Sequence, residues 1–266
     1  EGFRGGYGAA IILLSVLMLS GFGCTRVQST TVFMQKVSFQ TSDDVTIVGN
    51  YVQGDVGKPV VLLLHMMPAT KESWASMQTT LNDKGWGSLA IDLRGHGEST
   101  YRGTERIYYT DFEDEDHQAS GKDIEAAMQF LKEKGVEESN VYMIGASIGA
   151  NLALRYAATH HAIPAVVLLS PGLEYRGVAT LEAIRALAQT QSLFLVASDD
   201  DAYSFSTIRE LYNAAAQLIV RERMEGNGFG HGTTMLEKNP QWVADIVEWL
   251  VRAYSPFSRG SERGLQ

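Results

Sequence analysis

Several features that mark other protein classes are scarce or missing in this chain of 266 residues. Its one cysteine, Cys24, cannot form a disulfide within the chain, and no Cys/His cluster has zinc-site spacing. Acidic residues outnumber basic ones by 31 to 22, which argues against nucleic-acid binding because that function needs a basic face. Neither a phosphate-binding loop nor a dinucleotide-binding glycine pattern is present. We therefore expect no cofactor, no metal and no nucleic-acid partner.

A long apolar run occurs only near the N-terminus. Residues 8–23 are almost all apolar, but this run is shorter than the roughly 20 residues that a membrane-spanning helix needs. The run is typical of a signal peptide, which we predict over residues 1–23. Small residues before Cys24 resemble a bacterial lipoprotein signal with a lipidated cysteine, and a plain signal or an uncleaved anchor are the alternatives. We expect export to the bacterial cell envelope (lipid-anchored or periplasmic) or secretion, with membrane contact only through this segment.

The remaining chain divides into a domain over residues 30–255 and a polar, flexible tail over residues 256–266. In the domain, β-like and helix-like stretches alternate, which is typical of a mainly parallel sheet. The pattern predicts an α/β fold with a doubly wound sheet of about eight strands and helices on both faces. The predicted strands are residues 36–41, 45–53, 59–65, 88–93, 141–146, 166–170, 193–198 and 218–224, and the predicted helices are residues 71–84, 118–134, 147–159, 179–189, 205–216 and 240–254.

One motif carries a candidate nucleophile. Residues 145–149 read Gly-Ala-Ser-Ile-Gly, a G-x-S-x-G pattern between an apolar strand and an Ala/Leu-rich helix. A serine on a strained strand-to-helix turn needs small neighbours two residues away on either side, which Gly145 and Gly149 supply. The helix N-terminus directs backbone N–H groups towards the reacting oxygen. The pattern predicts Ser147 as a nucleophile.

Four segments together resemble the α/β-hydrolase superfamily, in particular its carboxylesterase- and lipase-like serine hydrolases. They are LLLHMMP (62–68), IDLRGHGEST (91–100), YMIGASIGANLAL (142–154) and GFGHGTTML (228–236), and they extend over most of residues 36–254. The resemblance is specific for the fold and much less so for the substrate. Only a short segment separates the strands that end near residue 170 and begin near residue 193, so we expect a minimal cap domain or none.

The family order of the catalytic triad is serine, acid, histidine. His231 is the candidate base, because the other histidines either precede Ser147 or end the helix that begins there. Asp199, Asp200 and Asp201 follow the strand that carries the acid in the family. The family's spacing favours Asp201, with Asp200 as the alternative.

The resemblance also implies an oxyanion hole built from two backbone N–H groups. One is that of Ile148, directly after the nucleophile. The other is assigned to Met67, although Met66 stands where the family usually has glycine. We expect His65 to brace this loop, and we interpret the polar side chains of a neighbouring segment as loop architecture: Asp92, Arg94, His96 and Ser99.

These residues predict a serine carboxylesterase that hydrolyses small to medium acyl esters through an acyl-enzyme intermediate. Its partner is expected to be a small-molecule ester. A thioesterase, an amidase or peptidase with the same triad, and a non-catalytic envelope binding protein on the same fold are the alternatives. The sequence assigns no oligomeric state.

Overall fold

A computed structural model describes residues 33–254 of the chain. The predicted signal peptide, Cys24 and the predicted tail over residues 256–266 lie outside these described residues. Within residues 33–254, none of the helices combines the length and apolar character needed to cross a bilayer.

The structure alternates strands and helices as the sequence pattern predicts. The strands are β1 (Gln35–Gln40), β2 (Val45–Val52), β3 (Val60–Leu64), β4 (Gly87–Ile91), β5 (Tyr101–Arg102), β6 (Glu105–Arg106), β7 (Val141–Ala146), β8 (Ala165–Leu169), β9 (Glu174–Tyr175), β10 (Val178–Ala179), β11 (Ser192–Ser198) and β12 (Arg221–Gly226). The helices are α1 (Ala75–Asn82), α2 (Asp114–Gln118), α3 (Gly121–Glu133), α4 (Ile148–Thr159), α5 (Leu181–Ala186), α6 (Ala202–Ala214), α7 (Thr234–Lys238) and α8 (Gln241–Tyr254).

One large sheet organises the fold, in the order β12-β11-β8-β7-β3-β4-β2-β5-β6, with β1 paired to β2. The strands from β12 to β4 run parallel, whereas β1 and β2 form an antiparallel pair at the other end. Parallel strands direct their carboxyl ends to one edge, where a ligand site can form. The predicted mainly parallel α/β fold is confirmed, with eight strands of five or more residues among those described.

Apolar side chains cover both faces of the sheet. On one face Leu62 and Leu64 of β3 belong to a core that includes Ile124 of α3 and Ile208 of α6. On the other face Leu63 packs in a second core, whose further members include Met77 of α1 and Trp249 of α8. Burial on both faces explains the unbroken apolar run in β3 and confirms the doubly wound arrangement.

Several element boundaries differ from the sequence prediction. The helix predicted over residues 118–134 is two helices, because reciprocal capping of Glu113 and Asp116 starts α2 earlier and α3 begins separately at Gly121. The helix predicted over residues 71–84 opens with a 3-10 turn, in which the Lys71 N–H donates to the Asp92 carboxylate at 2.8 Å. The strand predicted over residues 218–224 begins later, at Arg221.

Candidate active site

The candidate nucleophile lies on a turn that leaves no room for larger neighbours. Ser147 joins β7 to α4 with φ 54° and ψ −122°, a conformation that costs energy in any residue other than glycine. A Cβ on Gly145 would lie 2.2 Å from the Gly149 carbonyl oxygen, and a Cβ on Gly149 would lie 2.4 Å from the Leu64 oxygen. Close backbone packing therefore requires both glycines in residues 145–149, which we call the serine turn.

The serine turn also supplies hydrogen-bond donors. The Ser147 N–H donates to the Leu169 carbonyl at 2.8 Å, which fixes the turn to the end of β8. Ile148 is the first residue of α4, and its N–H has no partner within the helix because the first N–H groups of any helix lack one. These donors and the positive end of the helix dipole favour negative charge beside Ser147.

Asp201 and His231 form a close pair beyond the ends of β11 and β12. The His231 Nδ1–H donates to Asp201 Oδ2 at 2.6 Å, and Asp201 Oδ1 accepts the Ser204 N–H at 3.3 Å, which caps α6. Burial alone would raise the pKa of Asp201, but hydrogen bonds from His231 and Ser204 outweigh it, so this pKa lies below its ordinary value. The carboxylate thus stays ionised, and its bond to Nδ1 directs Nε2 of His231 away from it.

The three consecutive aspartates have separate partners in the loop over residues 227–232, which we call the histidine loop. Asp199 accepts from Asn227 Nδ2 at 2.6 Å and from the Gly228 N–H at 3.0 Å. Asp200 accepts the Gly230 N–H at 3.0 Å. Of the two aspartates that the sequence left open, Asp201 contacts the imidazole, whereas Asp200 accepts the Gly230 N–H of this loop.

The end of β8 brings the serine turn and the histidine loop together. Leu169 accepts the Ser147 N–H, and the next residue, Ser170, accepts the Gly232 N–H on its Oγ at 2.9 Å. Two consecutive residues therefore hold the candidate nucleophile and the neighbour of the candidate base. The site lies at the carboxyl ends of the parallel strands, as expected for this type of sheet.

Tyr175 is a site residue that the sequence did not indicate. Its ring meets the His231 ring edge-on, with centroids 6.2 Å apart. Burial raises the pKa of Tyr175 to about 12, although hydrogen bonding from Ser204 and from Ser147 lowers it in part. Tyr175 thus contacts the candidate base, and its hydroxyl lies 3.0 Å from Ser204 Oγ. The sequence around Tyr175 offers only the Tyr-Arg-Gly of a tight hairpin. The strands of this hairpin are too short to show an alternating apolar pattern.

The loop after β3 carries the proposed oxyanion donor. His65 is buried, its Nδ1–H donates to the Met66 carbonyl at 2.9 Å, and its Nε2 accepts the Leu93 N–H at 2.9 Å. Burial lowers the pKa of His65 to about 4, so the ring is neutral and braces this loop. Met66 lies against the histidine loop, since a Cβ on Gly232 would lie 2.4 Å from the Met66 Sδ. The side chain that replaces the family's glycine therefore packs against that loop.

The polar residues that follow β4 are engaged with one another. Arg94 is fully buried and donates to Asp43 and Asp123 at 2.9 Å, which ties the β1–β2 turn to α3. Asp92 accepts the Lys71 ammonium at 2.8 Å. These contacts bear out the interpretation of this segment as loop architecture. Among residues 33–254, no group of three or more His, Cys, Asp or Glu side chains is placed to hold a metal ion.

Comparison with known proteins defines the family. The profile of the alpha/beta hydrolase fold family matches residues 59–214, more than half of the chain. This chain belongs to the α/β-hydrolase family. The match includes the serine turn and Asp201, and the sheet order agrees with this assignment.

Individual relatives are esterases and a lipase. The chain is similar to the Pyrococcus furiosus esterase Pf2001, with a TM-score of 0.68 and 19% identity over 83% of this chain and 90% of that one. It also resembles a highly thermostable carboxyl esterase from Bacillus coagulans, with a TM-score of 0.66 and 14% identity over 84% and 98% of the two chains. Monoacylglycerol lipase abhd6-B of Xenopus laevis is 31% identical over 135 residues, 48% of this chain. That match covers only 36% of the lipase.

Proposed function

We propose that this chain is a serine carboxylesterase in which Ser147, His231 and Asp201 form the catalytic triad. The observation that carries the proposal is the 2.6 Å hydrogen bond between Asp201 and His231, beside the serine turn. This bond leaves His231 Nε2 as the acceptor on the ring, which is the atom that a general base uses. The α/β-hydrolase family and its esterase relatives support the same reaction class.

In the first half-reaction Ser147 Oγ attacks the ester carbonyl carbon, and its proton moves to His231 Nε2. The C=O bond becomes a C–O⁻ single bond in a tetrahedral intermediate. As the C=O bond re-forms, the bond to the alcohol oxygen breaks, and His231 gives its proton to that oxygen. An acyl-serine ester and a free alcohol result. Asp201 stabilises the imidazolium throughout this step without taking its proton.

In the second half-reaction water replaces the alcohol. His231 takes a proton from the water, whose oxygen attacks the acyl carbon, and the proton then returns to Ser147 as the acid leaves. We assign the Met67 and Ile148 N–H groups to the negative oxygen of both tetrahedral intermediates. Preorganised donors at that oxygen commonly supply about 3–4 kcal/mol of transition-state stabilisation.

A direct test compares the native chain with its Ser147→Ala variant on p-nitrophenyl acetate and butyrate. Hydrolysis should fall to the buffer rate in the variant, because no other hydroxyl occupies the serine turn. Monobutyrylglycerol extends the test to the substrate type in the name of the Xenopus lipase. Ser206→Ala is the matched control, because Ser206 is exposed on α6 and donates only to the Tyr203 carbonyl. A Ser147→Ala variant with the native rate would refute the mechanism.

A fluorophosphonate probe tests the nucleophile independently of the substrate. The probe should label the native chain and the Ser206→Ala variant on one serine, identified by mass spectrometry as Ser147. Labelling without turnover of any oxygen ester would favour a thioesterase or an amidase on the same triad. No labelling at all would leave the binding-protein alternative.

We further propose that residues 1–23 direct export and that Cys24 is a lipid attachment site. The apolar run and the small residues before Cys24 support this proposal. Metabolic labelling with palmitate in a bacterial host should mark the native chain and not a Cys24→Ser variant. Equal labelling of the two would exclude the lipid anchor.

A further inference from the structure

The short hairpin between β8 and α5 places Tyr175 in the site. β9 and β10 are joined by a two-residue turn at Arg176 (φ 52°) and Gly177 (φ 73°), both in the left-handed region that tight hairpins use. Val178 of β10 is fully buried, whereas Tyr175 of β9 is half-buried and lies towards Ser147. The hairpin therefore stands over the carboxyl edge of the sheet.

Both helices that begin at the proposed catalytic residues hold this hairpin. Asn151 of α4 donates to the Val178 carbonyl at 2.7 Å and accepts the Gly172 N–H at 3.1 Å. The Tyr203 hydroxyl of α6 donates to the Glu174 carbonyl at 3.2 Å and accepts the Glu174 N–H at 3.1 Å. Because α4 follows Ser147 and α6 follows Asp201, the hairpin is fixed relative to both residues.

The Tyr175 ring is itself confined. A Cβ on Gly172 would lie 2.7 Å from the ring atoms, so this glycine provides the space that the ring occupies. The ring packs edge-on against Tyr203, with centroids 5.7 Å apart, and its hydroxyl is 3.0 Å from Ser204 Oγ. These contacts make the phenol a fixed wall of the site.

We propose that Tyr175 determines substrate specificity by closing the side of the site next to Ser147 and His231, so that only esters with a short chain on that side fit. The inference rests on the esterase function proposed above and names the substrate size that this site accepts. The Tyr175 ring lies edge-on to the His231 ring, with centroids 6.2 Å apart, so no row of methylenes can pass between the two rings. Each methylene that a pocket cannot accommodate lowers kcat/KM by about tenfold or more.

The test measures kcat/KM for p-nitrophenyl acetate, butyrate and octanoate. Tyr175→Ala removes the wall and should raise the octanoate-to-acetate ratio by about tenfold or more. Tyr175→Phe keeps the ring and removes only the hydroxyl, so its ratio should stay within about twofold of the native value. A native ratio in Tyr175→Ala would overturn the inference.

Two further variants show whether a changed octanoate-to-acetate ratio comes from loss of the Tyr175 ring or from a general loss of structure. Tyr156 is also half-buried, but it stacks on His160 at the far end of α4, so Tyr156→Ala should leave the ratio unchanged. A similar rise in Tyr156→Ala would contradict the inference that the Tyr175 ring alone limits the chain length.

If Tyr175→Ala does not fold, Tyr175→Leu retains apolar packing with a shorter side chain. Its ratio should rise in the same direction, and an unchanged ratio there would overturn the inference equally.

Fluorophosphonates with short and long alkyl chains distinguish this inference from the esterase proposal. The long-chain probe should label Tyr175→Ala faster than the native chain relative to the short-chain probe, whether or not an ester turns over. If the native chain hydrolyses esters and Ser147→Ala does not, an unchanged probe ratio in Tyr175→Ala contradicts only the specificity inference. If the native chain is neither active nor labelled, both proposals fail.

Discussion

The serine turn and the histidine loop reach the same site by different physical means. In the serine turn, Gly145 and Gly149 bring backbone atoms so close that a single Cβ would lie within 2.4 Å of a carbonyl oxygen. In the histidine loop, a Cβ on Gly228 would meet nothing within 4 Å, and the backbone is held by the carboxylates of Asp199 and Asp200. Steric exclusion thus positions the nucleophile, whereas hydrogen bonds to side chains, among them two carboxylates, position the base.

The serine turn and the histidine loop also differ in the changes of sequence that they tolerate. A packed backbone cannot absorb an added atom without moving strands β3 and β7. A loop held by carboxylates can absorb small changes in shape, but it depends on the hydrogen bonds that each carboxylate accepts. Four substitutions and one pH series test this contrast.

The largest effect on kcat/KM is expected when Asp201, the partner of His231 in the histidine loop, loses its charge. Asp201→Asn should lower kcat/KM by about 10³- to 10⁴-fold, because an amide no longer fixes the His231 tautomer or stabilises its cation. Asp200→Asn is the matched control and should change kcat/KM by less than about tenfold, since an amide oxygen still accepts the Gly230 N–H. The reverse order of these rates on p-nitrophenyl butyrate would make Asp200 the acid.

A smaller effect, on stability and not on catalysis, is expected when a methyl group is added to a glycine of either region. Gly149→Ala should lower the free energy of unfolding by about 3 kcal/mol, because the new Cβ meets the Leu64 and His65 carbonyl oxygens. Gly228→Ala meets no atoms and has only its positive φ of 72° to accommodate, so it should cost about 1 kcal/mol. Urea denaturation of both variants measures these losses. Equal losses would contradict the contrast between the two regions.

Acid should affect the two regions in different pH ranges. The His65 carbonyl lies against Gly149, and burial holds the pKa of His65 at about 4 against an ordinary value of 6.5. Between these values the unfolded chain binds a proton that the folded chain excludes, so the free energy of unfolding falls as pH falls. Protonation linked to His65 should lower the free energy of unfolding by about 3 kcal/mol between pH 7.5 and pH 4, which urea denaturation measures. The pKa of Asp201 is lowered, so its contribution is lost only at pH values below this range.

The control for the pH series is another histidine. His65→Gln should reduce the dependence on pH. In the dependence that remains, the contribution of His96, whose pKa burial also lowers to about 4, has the same sign as that of His65, whereas the contribution of Asp123, whose pKa burial raises to about 6, has the opposite sign. His161→Gln should leave it unchanged, because His161 is exposed at the end of α4. A native chain equally stable at pH 7.5 and pH 4.5 would contradict the assigned burial of neutral His65.

Prediction from sequence worked best where the deciding interactions are local. The apolar runs predicted the buried strands, and the G-x-S-x-G pattern predicted the serine turn, because the two glycines that the turn requires lie only two positions from Ser147. The sequence also narrowed the acid to Asp201 or Asp200 through the family's spacing. It did not indicate the β9–β10 hairpin or the short helix α7, which lack a periodic apolar pattern.

The amino-acid sequence by itself determined the alternating α/β order, the position of Ser147 and the family to which the chain belongs. Hydrophobic periodicity and backbone sterics act over a few residues and can be recognised along the chain. Only the tertiary structure decided which aspartate meets His231, where Tyr175 lies and that Met66 packs against the histidine loop. These contacts join residues as far apart as Asp201 and His231, 30 positions, or Met66 and Gly232, 166 positions, and their geometry depends on how the strands align in the sheet.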